Sequence, residues 1–327
     1  MRIPRCFLFV AFAYLAVAGI HATEAPATDA EGVVKVTLLG TGCPVPLMSR
    51  FGPSVLVEAG SEKLLFDAGR GSVQRLRQLN VPFGEIRKLF LTHLHSDHVV
   101  GIPDLMLTGW LESETRTPLQ IFGPEGTRAM MRHLSEAFEF DIRIRTEDDG
   151  VPPEGAVVNT AEIREGTVYE RHGLKVTAFD VDHRPIKPAL GYRVDYAGRS
   201  VVVSGDTRVS ENLIRFADGA DLLIHEVILA DLARKLEPNK DLTERVIAHH
   251  TTAEQAGEVF ARVKPKLAVY SHIVPPSATA AALKGATRIT YKGPLEVGED
   301  LMVIEVGPTI KVTRHSQSGD VAKAVGK

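Results

Sequence analysis

The chain has 327 residues, 44% of them hydrophobic, with a formal net charge of −3 and two cysteines. That apolar share excludes a disordered chain, which lacks the surface to bury. Two cysteines exclude a disulfide framework, and a slightly acidic balance argues against nucleic-acid binding, which needs lysine and arginine to displace counterions from phosphates.

Arg2 and Arg5 precede an apolar run from Cys6 to Ile20 and then His21-Ala22-Thr23-Glu24-Ala25. This is the pattern of a secretory signal peptide over residues 1–22, with cleavage after Ala22 or Ala25. The run is shorter than the roughly 20 residues that span a bilayer, so no stable membrane anchor is expected. The sequence therefore predicts a periplasmic or secreted protein. Loss of Arg2 and Arg5 takes the net charge from −3 down by two, to −5, and leaves Cys43 without a disulfide partner.

Residues 33–313 read as a single domain without internal repeats, followed by a loose tail over 314–327. Val33–Leu39 alternates as a first strand, and Gly40-Thr41-Gly42-Cys43-Pro44 is a turn that brings backbone close to a neighbour. Ser54–Glu58 and Lys63–Asp67 form a hairpin, and a helix follows from about Gly71 to Leu79. Asp67, a carboxylate at a buried strand end, needs a partner.

The most informative stretch is Leu91-Thr92-His93-Leu94-His95-Ser96-Asp97-His98, reached from an apolar strand over Ile86–Leu91. Strand carboxyl ends are where open α/β sheets place their chemistry. Neutral imidazoles and a carboxylate at this density are metal-ligand chemistry. His93 and His95 can converge on one cation, while Asp97 and His98 face a neighbouring position.

At these residues the chain resembles the metallo-β-lactamase-fold hydrolases, whose pattern is the same Thr-His-x-His-x-Asp-His. The resemblance implies an α/β four-layer αββα sandwich with a dinuclear metal site on one edge, and it puts Asp67 beneath the metal histidines, where it would orient an imidazole. Leu39-Gly40-Thr41-Gly42 is similar to an element of the ribonuclease Z-like branch.

Further along, Pro103–Glu112 and Glu125–Phe138 read as helices and Leu119–Phe122 as a strand, with Met106, Trp110, Met130 and Met131 in the core. Residues 139–170 hold nine acids and three arginines with little periodicity, and form the least ordered-looking part of the domain. Ribonuclease Z-like proteins usually extrude a Gly- and Lys-rich arm here to hold transfer RNA, so the acidic segment argues against that substrate.

Leu174–Val181 is a strand leading to Asp182-His183, and Ala189–Val194 starts a hairpin that turns at Ala197-Gly198-Arg199. His183, shortly before Gly191-Tyr192-Arg193, matches the family's third histidine. The strand Ser200–Val203 delivers Asp206, whose free carboxylate at a sheet edge calls for a cation. Asp221–Glu226 is a further strand; its end resembles the family's His-Glu-Ala-Thr element, with Val227-Ile228 in place of Ala-Thr, and Glu226 is the better functional candidate, able to hold His250, with His225 read as structural. His250 lies in a His-Thr-Thr-x-x-Gln-Ala cluster, where the branch keeps a catalytic histidine that binds no metal, and Thr252 with Gln255 marks a capping box for the helix behind it. Lys266–Tyr270 ends at Ser271-His272, and His272-Ile273-Val274-Pro275-Pro276 looks more like arylsulfatase-type members than ribonuclease Z. Leu295–Val306 and Ile310–Val312 are closing strands.

The resemblance thus implies His93, His95 and His183 on one metal and Asp97, His98 and His272 on a second, with Asp206 bridging. Two Zn2+ are the default, with Mn2+ or iron fitting similar donors. Asp97, His250 and Glu226 would be the catalytic residues. The expected activity is an exported dinuclear hydrolase of sulfate or phosphate esters, arylsulfatase-like, acting through a metal-bridging hydroxide on a small-molecule ester; a homodimer is compatible with the sequence. Ribonuclease Z-type phosphodiester cleavage, or lactone, lactam or thioester hydrolysis, are the alternatives.

Overall fold

In a computed structural model of the chain the described residues are 32–112 and 117–315. The expected signal peptide and the tail beyond residue 315 lie outside them. Among the described residues no helix is long and apolar enough to cross a membrane.

Two mixed sheets face each other. The first holds β1 (Val34–Gly40), β2 (Ser54–Ala59), β3 (Glu62–Phe66), β4 (Lys88–Phe90), β5 (Leu119–Gly123), β6 (Val158–Glu162), β14 (Val303–Val306) and β15 (Ile310–Thr313), in spatial order β15-β14-β1-β2-β3-β4-β5-β6. The second holds β7 (Gly166–Arg171), β8 (Leu174–Asp180), β9 (Leu190–Tyr196), β10 (Arg199–Val203), β11 (Leu222–Ile228), β12 (Leu267–Val274) and β13 (Leu295–Val297), in order β13-β12-β11-β10-β9-β8-β7. Val36, Val57, Phe66, Phe90, Tyr192, Val201, Ile224 and Val269 fill the space between them.

Helices cover both outer faces. Against the first sheet lie α1 (Ser72–Gln78), α3 (Ile102–Leu111) and α4 (Thr127–Ala137), through Leu76, Leu105, Met106 and Met131 on Leu65, Leu89 and Ile121. Against the second lie α6 (Glu211–Ala217), α9 (Ala253–Val263) and α10 (Ala280–Thr287), through Leu213, Val259, Phe260 and Leu283 on Val202, Leu223 and Ala268. Because both faces are covered, β11 is buried at every residue, the run expected of a central strand in a covered sheet. The chain is the four-layer αββα sandwich that the motif implied. The short helices α2 (Ser96–Val99), α5 (Glu139–Glu147), α7 (Ala230–Leu236) and α8 (Lys240–His249) complete the set.

Several expectations change. Residues 139–170 are largely regular: α5, β6 and nearly all of β7 lie within them. Helix α5 buries no residue and so shows no apolar period; the i,i+4 pairs Arg145–Asp141 at 3.0 Å and Arg143–Glu147 at 3.4 Å support it instead. Leu295–Val306 is two strands, not one, because Gly298–Met302 carries the chain from the second sheet to the first. The tail is held at its start, where Arg314 meets Glu296 at 2.8 Å. Trp110 is core as expected, donating from Nε1 to the Pro152 carbonyl at 2.7 Å.

The turn after β1 requires its glycines because other backbone comes close. A Cβ on Gly40 would stand 1.9 Å from the Gly52 carbonyl oxygen, and one on Gly42 would stand 2.7 Å from that of Arg50. Between them Thr41 donates from N and Oγ1 to Asp300, at 3.0 and 2.9 Å, and accepts at its carbonyl from Ile273 N at 3.0 Å. The turn therefore braces β12, one of the strands that build the site.

Candidate metal centre

The strands β3, β4, β10, β11 and β12 send their carboxyl ends to one edge of the sandwich. The segment after β4 carries His93 and His95 into α2, which presents Asp97 and His98. Tyr192 of β9 fixes this segment from the opposite sheet, its hydroxyl donating to the Leu91 carbonyl at 2.6 Å. His183 follows β8, and Asp206 follows β10.

His272 does not end its strand as expected. Strand β12 continues to Val274 through a bulge, since His225 pairs with Tyr270 but Val227 pairs with Ile273. The extra residue lets the backbone at His272 take a φ of 42° and turns its ring toward the cluster.

All seven expected ligands converge. The ligand atoms of His93, His95, His183 and Asp206 lie within 4.8 Å of one another, as do those of Asp97, His98 and His272. His95 faces inward with Nδ1, 3.0 Å from His93 Nε2 and 3.4 Å from His183 Nε2. Asp206 Oδ2 stands between the two groups, 3.8 Å from His93 Nε2, 3.9 Å from His183 Nε2, 3.4 Å from His98 Nε2 and 3.3 Å from His272 Nε2. A third grouping places His250 with Asp206 and His272.

These donors fit divalent metal. Asp206 Oδ1 and His98 Nε2 are buried without a hydrogen-bond partner, a cost that a cation would remove. Burial holds His93 well below the usual imidazole range and takes His183 down to about 4, so both are neutral, the form that ligates. At His98 burial is outweighed by Asp206 and Asp67, which hold the imidazole well above its usual range. The carboxyl of Asp206 is buried, yet the surrounding imidazoles, His272 foremost, keep it well below the usual carboxylate range.

Around the ligands sits a ring of orienting groups. Asp67 accepts from Thr92 N at 2.8 Å, from Thr92 Oγ1 at 2.8 Å and from His98 Nδ1 at 2.7 Å, so it does orient an imidazole. His183 Nδ1 lies 2.9 Å from the carbonyl of His249, and this role of a main-chain oxygen was missed. Only the end of helix α8, which sequence reasoning overlooked, could have signalled it. Thr92, whose Oγ1 is also 3.0 Å from His93 Nδ1, was quoted in the motif but given no task.

Glu226 lies where it can hold His250. Its Oε2 is 3.2 Å from His250 Nδ1, while its Oε1 accepts from Thr251 N at 2.8 Å and Thr207 N at 3.3 Å. Burial opposes a charge on His250, but Glu226 outweighs it and pushes the imidazole up to about 9. The ring stacks on His272, centroids 5.5 Å apart. His225 is buried with Nδ1 2.6 Å from the Glu226 carbonyl, a packing histidine as expected.

A four-layer sandwich with such a cluster at one edge defines a metal-dependent hydrolase. The family description that matches, over residues 62–273, is the beta-lactamase superfamily domain. Ribonuclease Z of Mycolicibacterium gilvum (strain PYR-GCK) is 36% identical over 286 residues, covering 85% of this chain and 98% of that one. Ribonuclease Z of Mycobacterium sp. (strain KMS) is 38% identical over 285 residues, covering 86% and 99%. Human tRNase Z, short form, superposes with a TM-score of 0.62 at 25% identity, over 84% of this chain and 99% of that one. The metallo-beta-lactamase fold protein YhfI of Bacillus subtilis, with a TM-score of 0.65 at 19% identity over 84% of this chain and 100% of its own, shares the fold. The chain belongs to the metallo-β-lactamase-fold hydrolases, in their ribonuclease Z-like branch.

This corrects the expectation about partners. The sequence argued against nucleic acid from overall charge and from the acidic segment 139–170, and the ribonuclease Z relatives overturn that argument. A charge summed along a segment says nothing of which face each side chain occupies. The arylsulfatase-like expectation rested on the residues after His272, whereas the Mycolicibacterium and Mycobacterium relatives, matched over nearly their whole length, are ribonucleases Z.

Proposed function

We propose that the protein is a ribonuclease Z-type phosphodiesterase that cuts RNA at a pair of divalent metal ions, zinc by preference. The observation that carries the reading is the convergence of seven donors into two adjoining groups, in a chain that matches ribonucleases Z over nearly their whole length. His93, His95 and His183 would hold one ion and Asp97, His98 and His272 the other, with Asp206 between. When bound, such a pair polarises a phosphoryl oxygen and makes water nucleophilic at neutral pH.

The chain's own groups do the rest. Asp67 and the His249 carbonyl fix the rings of His98 and His183, so the ligands need not reorganise when the ions bind. Asp97 lies beside His272, its Oδ2 3.2 Å from Nε2, and is placed to align the attacking water. Glu226 favours the doubly protonated form of His250, and with the Nδ1 proton turned to Glu226 the Nε2 proton is the one that can pass to the leaving ribose oxygen. Export is a separate proposal, supported by the residue pattern over 1–22, and fractionation of the host tests it.

The test is a zinc-loaded assay on a precursor transfer RNA, bis(p-nitrophenyl) phosphate and an aryl sulfate. Cleavage of the RNA at one position, dependent on metal, is the expected result. Rapid aryl sulfate turnover with intact RNA would overturn the reading.

A further inference from the structure

Beside the metal cluster runs a groove of about 1020 Å³, at the upper end of the roughly 300–1,000 Å³ of small-molecule sites. It is lined by Asp182 and Arg184, the neighbours of His183 in the chain, by Lys187 to Leu190, by Glu125 and Arg128 at the start of α4, and by residues 162–164 where β6 leads to β7. Four cationic side chains line it: Arg128, Arg164, Arg184 and Lys187. All four residues are exposed. We propose that this groove carries the RNA backbone to the metal centre, with Arg128, Arg164 and Lys187 as its phosphate contacts.

The inference rests on the ribonuclease reading above and adds where its substrate lies. Two of the groove's acids are already occupied. Glu162 Oε1 accepts from the backbone N of Gly126 at 3.0 Å and of Arg128 at 3.1 Å, closing the first turn of α4. Asp182 is held by Arg184 at 2.5 Å, which takes its carboxyl down to about 2. Among the described residues the charged ends of Arg128, Arg164 and Lys187 have no carboxylate partner.

Glu125 and Asp180 also line the groove. Carboxylates there repel a bare phosphate yet accept from base amino groups, so the mixture suits a nucleotide chain better than an inorganic anion. Of the nine acids in residues 139–170, Glu162 alone lines this groove among the described residues, and Arg164 of the same segment faces it. The other eight acids of the segment lie outside the groove, Glu139, Asp141 and Glu147 among them on α5.

The test is the triple variant Arg128→Gln, Arg164→Gln, Lys187→Gln, compared with the parent as zinc-loaded protein. Metal content and melting temperature check that it folds. The readouts are kcat/KM on a precursor transfer RNA relative to bis(p-nitrophenyl) phosphate, and the salt dependence of binding to a fluorescent single-stranded RNA. The ratio is expected to fall at least about tenfold. Each single-strand phosphate contact contributes about 0.7 to the slope of log affinity against log salt, so three lost contacts flatten it by about 2. An unchanged ratio with an unchanged slope overturns the groove, as does a parent that fails to bind RNA at low salt. A parent that binds RNA with the full slope but never cuts it keeps the groove and removes the nuclease reading instead.

Discussion

Replacing Asp67 by Asn tests whether the orienting groups, and not only the ligands, determine metal affinity. The carboxylate accepts three hydrogen bonds, from Thr92 N, Thr92 Oγ1 and His98 Nδ1, each between 2.7 and 2.8 Å. An amide oxygen can take the place of Oδ1, accepting from Thr92 N, or of Oδ2, accepting from Thr92 Oγ1 and His98 Nδ1, and in either pose the NH2 group meets a donor. In the parent the charged oxygen holds the His98 ring with Nε2 toward Asp206. In the variant that ring meets a neutral amide and loses the negative partner that makes it a stronger ligand. Outer partners of this type are worth about 10–100-fold in metal affinity, which is about 1.4–2.8 kcal/mol.

The assay is competition for zinc with a calibrated chelator. One of the two dissociation constants, that of the ion held by His98, should rise by that factor and the other should move much less, since His93, His95 and His183 do not touch Asp67 except through Thr92. Rate at saturating zinc should return toward the parent value. Unchanged affinities at both positions would refute the reasoning, because they would mean that helix α2 alone fixes His98.

Purified protein loaded with zinc should hold two ions per chain by elemental analysis, and chelation should lower its melting temperature, since an ion that binds only the native state stabilises it. His250→Ala should keep both ions yet lose about 10²–10⁴-fold in turnover, as a lost general acid does; loss of an ion would instead make His250 a ligand. Gly40→Ala puts a methyl 1.9 Å from the Gly52 carbonyl, backbone against backbone, and should cost about 1–3 kcal/mol by denaturant unfolding. N-terminal sequencing of the protein from its host should start after Ala22 or Ala25.

Legibility in the sequence followed the source of each signal. His93, His95, Asp97 and His98 were readable from their density at a strand end and Asp206 from the cost of a free carboxylate there, whereas His183 was readable through its match to the family pattern before Gly191-Tyr192-Arg193. Asp67 was readable from the same cost as Asp206. Helices α7 and α8 were not, because only Ala230 and Thr243 are buried within them and no apolar stripe marks their faces. The bulge at His272 was hidden as well. Strand β12 reads Leu-Ala-Val-Tyr-Ser-His-Ile-Val, and nothing in that order says which residue drops out of register. Main-chain contributions, such as the His249 carbonyl on His183, have no side-chain signature at all.

The site also explains why two sheets of mixed direction suit this chemistry. Strands β3, β4, β5 and β6 are parallel neighbours in one sheet, and β10, β11, β12 and β13 in the other. Each run delivers its carboxyl ends to the same edge, so Asp67 and the histidine motif come from one side and Asp206, Glu226 and His272 from the other. Neither sheet holds a complete set of ligands. The pair Asp97–His272 at 3.2 Å and the pair His98–Asp206 at 3.4 Å both cross the gap between the sheets. A metal bound there ties the two layers together, so chelation should loosen the interface between the sheets as well as stop hydrolysis. Hydrogen exchange should show it: amides of Leu190 and Ile273, which bond across the sheets to Thr92 and Thr41, should lose protection before those of β2. Uniform loss across β2 and both of these amides would instead place the ions' stabilisation in the whole fold.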